Sequence, residues 1–150
     1  MAFVIQGLEA CSPMSPLKGQ YLFVRPAGEG DEASLRALYE ADGASLPEPL
    51  IAPLALLGKL AGTVVGHIVA APDSSDLRIT HFYVARELRR KRIGRGMLDR
   101  LDELAGRMQY TLMIADLDSA CGGFLAKEGF SESAGRLERM VRGVPDEVVP

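Results

Sequence analysis

The segment from His81 to Met108 constrains this chain more than any other. A short apolar strand, His81-Phe82-Tyr83-Val84, leads to the turn Arg89-Arg90-Lys91-Arg92-Ile93-Gly94-Arg95-Gly96, and the turn runs into an amphipathic helix. In that helix Met97, Leu101, Leu104, Ala105 and Met108 recur at i, i+4, i+7, i+8 and i+11 and so face the core, with Asp99, Asp102, Glu103 and Arg107 toward solvent. Six of the ten residues from Arg86 to Arg95 are positive, in a chain whose 17 Lys and Arg are outnumbered by 20 Asp and Glu. Such a local excess of cations wants an anion. The leading N–H groups of a helix have no intrahelical partner and lie at the positive end of its dipole, so strand, basic turn and helix start together read as a phosphate cradle. The plainer alternatives are a solvated helix start and a nucleic-acid patch.

The overall balance weighs against the nucleic-acid alternative. A formal charge of −3 is not that of a general nucleic-acid binder. The segment also lacks an aromatic stacking stripe and any major-groove motif. The 150 residues suffice for one domain that buries about two-thirds of its unfolded surface. Pro53 and Lys59 interrupt the best candidate for a membrane span, so no membrane association is expected. Leu8-Glu9-Ala10-Cys11 looks superficially like a lipoprotein cleavage site, but no basic residue precedes it, and the chain is expected to be cytoplasmic. Cys11 and Cys121 read as free thiols. With His67 and His81 they form no ligand set of recognisable spacing, and no metal is expected.

Taken in order, residues 1–20 form an N-terminal lead in which Met14 offers a second possible start. Tyr21 to Arg25 reads as a strand, and Asp31 caps a helix with Leu35, Leu38 and Tyr39 inward. The Pro- and Gly-rich stretch Asp42 to Pro53 reads as a loop lining a substrate opening. Leu54 to Leu57 and Thr63 to Ala70 form a hairpin around a Gly58 to Gly62 turn, and Leu77 to Val84 adds a strand. On that strand simple alternation puts Ile79, His81 and Tyr83 on one face and Thr80, Phe82 and Val84 on the other. Tyr110 to Ala115 is a buried strand, parallel to the one ending at Val84 because a helix connects them. Asp118 caps a further helix reaching Lys127 and stopping at Gly129, and Leu137 to Arg142 is the last strand. Pattern alone gives an α/β class.

Two segments resemble motifs of the GNAT family of N-acetyltransferases. The first is its acyl-CoA motif: Arg or Gln, two free positions, Gly, one free position, then Gly or Ala. Arg89 fills the first place and Gly94 the last, while Arg92 stands where the family usually has its first Gly. If that place requires a positive φ, Arg costs about 1 kcal/mol more than Gly. The second is Ala120 to Phe130, which resembles the later signature Ala-x-x-Phe-Tyr-x-Lys-x-Gly-Phe and has Leu125 at the Tyr. The resemblance covers about residues 21–143, leaving 144–150 as a tail. It implies a single domain with a mixed, mostly antiparallel sheet splayed between two parallel central strands and flanked by helices.

The same resemblance implies acetyl-CoA as co-substrate. It would be bound by Phe82, Tyr83, Val84, the Arg89-Arg90-Lys91-Arg92-Ile93-Gly94-Arg95 turn, Asp118, Phe124 and Lys127. Val84 would supply a backbone N–H to the thioester oxygen. Leu125 cannot protonate the leaving thiolate as the usual Tyr does; Ser119, Cys121 or a water are candidates to replace it. His81, with an ordinary pKa near 6.5, is the candidate base, and Asp42 and Glu48 are candidates to attract a cationic substrate. The expected acceptor is a small-molecule amine or a protein amino group, with the protein a monomer or homodimer. The competing expectation, which Leu125 favours, is a GNAT-fold acyl-CoA sensor without efficient catalysis.

Overall fold

The computed structural model describes residues 21–51 and 54–142. The expected lead at 1–20 and tail at 144–150, and Cys11 with them, lie outside the described residues. Seven strands form one sheet: β1 (Leu22–Pro26), β2 (Leu54–Leu60), β3 (Thr63–Asp73), β4 (Asp76–Val84), β5 (Leu112–Asp116), β6 (Ser131–Ser133) and β7 (Arg136–Met140). Their spatial order is β1-β2-β3-β4-β5-β7-β6, and every neighbouring pair is antiparallel except β4 and β5. Three helices flank the sheet: α1 (Glu32–Ala41), α2 (Ile93–Arg107) and α3 (Gly122–Lys127).

Adjacent residues of one strand serve the two faces. Leu56 of β2 and Ile68 of β3 join the larger core under α2, with Met97, Leu98 and Leu101. Leu57 and Val64 join the smaller core under α1, with Leu35, Leu38 and Tyr39. α2 comes close to the sheet because Gly58 and Gly66 pair across β2 and β3 directly beneath it. A Cβ on Gly66 would lie 2.3 Å from the Met97 sulfur, and one on Gly58 3.0 Å from it.

Several boundaries differ from expectation. The first hairpin turns at Ala61 (φ +53°) and Gly62 (φ +84°), so Gly58 belongs to a strand and not to the turn. Two consecutive residues with positive φ match the twist of a two-residue hairpin, which places the turn there. Asp31 precedes α1 but does not bond its amides; the carboxylate instead accepts from Arg25 at 2.9 and 3.0 Å and from the Gly28 N–H at 2.8 Å. Asp118 does not cap α3, whose N-cap is Cys121. In α2, Met108 falls past the helix end and is 51% exposed, whereas Asp102 is buried. Asp102 is buried because Arg139 of β7 pairs with its carboxylate, and the Arg142 N–H donates to the same group at 3.1 Å.

Candidate active site at the open edge of the sheet

The central parallel pair is short. Asp76, Leu77 and Arg78 pair with Leu112, Met113 and Ile114, and beyond them β4 continues to Val84 with no partner on that side. The sheet therefore forks. Arg78 staples the vertex, donating to Asp73 at 3.0 Å and across the fork to Asp116 at 2.6 Å.

Just past the vertex the register of β4 on β3 slips by one, since Val69 faces His81 while Ala70 faces Ile79. Thr80 is the extra residue, and its hydroxyl donates to the Val69 carbonyl at 3.1 Å. The bulge corrects the simple alternation. Leu77 and Ile79 share the α2 face with Phe82 and Val84, while Tyr83, and His81 two residues before it, lie on the α1 face. Phe82 meets Phe124 of α3 edge-on at 5.1 Å between ring centroids. Ala85 donates to Val65 of β3 at 2.8 Å, and strand amides alternate in direction, so the Val84 N–H points to the open edge. The Val84 carbonyl accepts from the Arg89 Nε at 2.9 Å.

His81 is half-buried, and that burial lowers its pKa. Its Nδ1 lies 3.2 Å from the Thr80 oxygen. The single Thr80 proton is given to Val69, so Nδ1 carries the hydrogen and the basic lone pair is on Nε2. His67, by contrast, is fully buried: Nε2–H donates to the Leu50 carbonyl at 2.9 Å, and Nδ1 accepts from the Tyr39 hydroxyl at 2.7 Å. Burial pushes its pKa down to about 4. Tyr39 stacks on Tyr83 with centroids 4.6 Å apart, and the Tyr83 hydroxyl donates to Asp42 at 2.5 Å. The Asp42 carboxylate also accepts the Arg86 N–H at 2.9 Å. These bonds hold its carboxyl below the ordinary range, the Tyr83 hydroxyl contributing most.

Beyond Val84 a 3-10 turn over Arg86–Leu88 leads to Arg89 and on to α2. Arg90 has φ +68° and Arg92 φ +69°. Arg92 thus adopts the left-handed geometry at the place where the family motif carries Gly. The first hydrogen bond of α2 runs from Gly96 N–H to Arg92 C=O at 3.0 Å, which leaves the Ile93, Gly94 and Arg95 amides without intrahelical acceptors. The Ile93 side chain is buried in the core beneath them, while Arg89, Arg90, Lys91, Arg92 and Arg95 are exposed. Arg95 lies 3.5 Å from Glu128. A Cβ on Gly94 would stand 3.2 Å from the Phe124 ring and 3.7 Å from Phe82. The turn therefore combines free amides, positive charge and a bare Gly backbone, as a phosphate site needs.

Across the fork, Asp118 is exposed in the turn after β5, and the Ser119 hydroxyl lies 3.0 Å from the Cys121 sulfur. Burial raises the Cys121 thiol pKa. Lys127 ends α3, and Leu125 is fully buried in the larger core. Asp42 and Arg89 form contacts at the open edge that the motif pattern does not show, because both depend on where β4 ends. Among the described residues no group of three or more His, Cys, Asp or Glu converges to hold a metal. A groove of about 530 Å³ lies along α2, lined by Leu22, Val24, Asp99, Arg100 and Glu103 among others, and none of its residues belongs to the open edge of β4.

A forked sheet with a basic, glycine-bearing turn at the head of its longest helix defines a class, and sequence comparison identifies it. The family model of the acetyltransferase (GNAT) domain matches residues 54–132, more than half of the chain, and the chain belongs to that family. No curated protein matches the chain by sequence. Among solved structures, Ard1 from Thermoplasma volcanium is similar at 22% identity with a TM-score of 0.61, over 80% of this chain and 97% of that one. N-acetylglutamate synthase from Neisseria gonorrhoeae, complexed with coenzyme A and L-arginine, is 15% identical with a TM-score of 0.68, over 81% of this chain and 34% of that one. A GNAT family acetyltransferase from Brucella melitensis, in complex with acetyl-CoA, is 16% identical with a TM-score of 0.62, over 80% of this chain and 88% of that one. At these identities the likeness is one of fold.

Proposed function

We propose that the domain, spanning about residues 21–143, moves an acetyl group from acetyl-CoA to a primary amine of a small molecule or protein, in the cytoplasm. The observation that carries this reading is the left-handed basic turn at Arg90 and Arg92, which opens the Ile93, Gly94 and Arg95 amides beside the fork between β4 and β5. In this reading those amides hold the pyrophosphate of the co-substrate, with the side chains from Arg89 to Arg95 adding charge. Phe82, Tyr83 and the open edge of β4 line one side of the arm. Asp118, Phe124 and Lys127 line the other.

Acetyl-CoA, when bound, supplies the activated acyl group as a thioester. The Val84 N–H then faces the oxygen that gains negative charge, a fixed dipole that needs no reorientation during reaction. His81 Nε2 takes the proton that the amine must lose, directly or through one water. Its pKa, lowered by burial, keeps the imidazole neutral and able to accept. No side chain at Leu125 can protonate the thiolate. A thiol pKa near 8.5 makes the thiolate a tolerable leaving group, and Ser119 or Cys121 stand near the end of β5.

Leu125 supports a second reading, an acyl-CoA-binding sensor without efficient turnover. Calorimetric titration with CoA and with a phosphate-free pantetheine fragment tests the binding step; equal affinity for the two refutes the cradle. Amine-dependent release of CoA across an amine library then separates enzyme from sensor.

A further inference from the structure

Arg89 is exposed, yet its side chain is occupied in two ways. Its Nε donates to the Val84 carbonyl, and its guanidinium carbon lies 5.0 Å from the centroid of the Tyr83 ring. Tyr39 covers the other ring face, so the face under Arg89 is the one open to a ligand. Beside this ring stands Asp42. One of its oxygens, Oδ2, is held by the Tyr83 hydroxyl and the Arg86 N–H, and no hydrogen bond reaches Oδ1 among the described residues.

An aromatic face next to a fixed carboxylate with a free oxygen is a receptor for an organic cation. We infer that Tyr83 and Asp42 bind the positively charged end of the acceptor amine, and that Arg89 fills this site when the acceptor is absent. The inference rests on the acetyl-transfer reading and narrows it: the acceptor carries an ammonium or guanidinium group, and an anionic substituent there is repelled by Asp42.

The arrangement also couples the two ligands. Arg89 opens the basic turn, so an anion held by the turn amides competes for its guanidinium. Drawing the side chain toward that anion frees the Tyr83 face and the Val84 carbonyl together. Arg89 is therefore a guard that the co-substrate removes. Nothing else need move, since Asp42 and Tyr83 are already positioned by Arg86 and Tyr39.

The test uses the full chain and 1,5-diaminopentane as probe, followed by two-dimensional NMR. Asp42 and Tyr83 resonances should shift on titration. The Kd should fall about fivefold in Arg89→Ala, and equally in wild type saturated with CoA, relative to ligand-free wild type. Adding Asp42→Asn to Arg89→Ala should raise the Kd at least about tenfold. Tyr83→Phe keeps the ring but frees Asp42, and should weaken binding less than Asp42→Asn does. Equal affinity in wild type and Arg89→Ala, or shifts confined to other residues, overturns the inference. Failure of CoA to bind sinks the acetyl-transfer reading instead, because the comparison with Arg89→Ala needs no CoA.

Discussion

His67 ties the stability of the domain to pH. In the folded protein the imidazole is fully buried and neutral, with its pKa down at about 4 against the ordinary 6.5. The groups facing it are the Tyr39 hydroxyl, the Leu50 carbonyl and, at longer range, His81, and none of them carries a negative charge at neutral pH. A base whose folded pKa is depressed binds its proton first in the unfolded chain. Its contribution is thus complete above about pH 6.5 and is lost as the pH falls from there through about 4. The gap between the two values corresponds to about 3 kcal/mol, most of it lost by about pH 4.5. Other groups titrate in this range, so the measurement is a comparison. Urea unfolding of wild type and His67→Gln at about pH 7.5 and 4.5 should show the wild type's advantage shrinking by about 2.5 kcal/mol on acidification. A constant advantage would mean that His67 does not stay buried and neutral, and a growing one would reverse the sign of the argument.

Gly94→Asp should weaken CoA binding at least about tenfold by calorimetry, with an unchanged circular dichroism spectrum, because a negative carboxylate replaces a bare backbone in the turn. Asp102→Asn should cost about 3–5 kcal/mol in denaturant unfolding, because it leaves the Arg139 cation buried without a counter-charge. Leu125→Tyr should lower stability by about 1–3 kcal/mol, since the site is fully buried and packed. A rise in amine-dependent acetylation in that variant would show that the new hydroxyl reaches the fork.

The parts of this architecture that are written locally were legible. The step from an apolar strand through a basic Gly turn into a helix is present between Val84 and Ile93, and the two family motifs implied the fork between parallel strands that the pairing of β4 and β5 displays. The positive φ at Arg92 matches the family place it fills, and its strain was foreseeable from the motif alone. The misses have non-local causes. Asp102 looked solvent-facing because its partner Arg139 lies 37 residues away. Gly58 looked like a turn residue because its true constraint is the Met97 side chain pressing from α2. Asp42 read as a loop acid because only folding brings it to Tyr83.

Thr80 leaves no mark in the hydrophobic pattern, yet it separates β4 into two stretches of opposite parity. Residues before it obey the alternation of the sheet, and residues after it obey the alternation of the open edge. Pairing Thr80 regularly with β3, so that the bulge is lost while the length is kept, would bring Val84 and Phe82 to the α1 side and turn His81 and Tyr83 toward α2, without altering a single residue of the site itself. Deleting Thr80 would instead remove the bulge and its extra residue together and leave these four side chains on the faces they now occupy. Homologues that diverge freely at every lining position would still have to keep the bulge and the length of β4 matched.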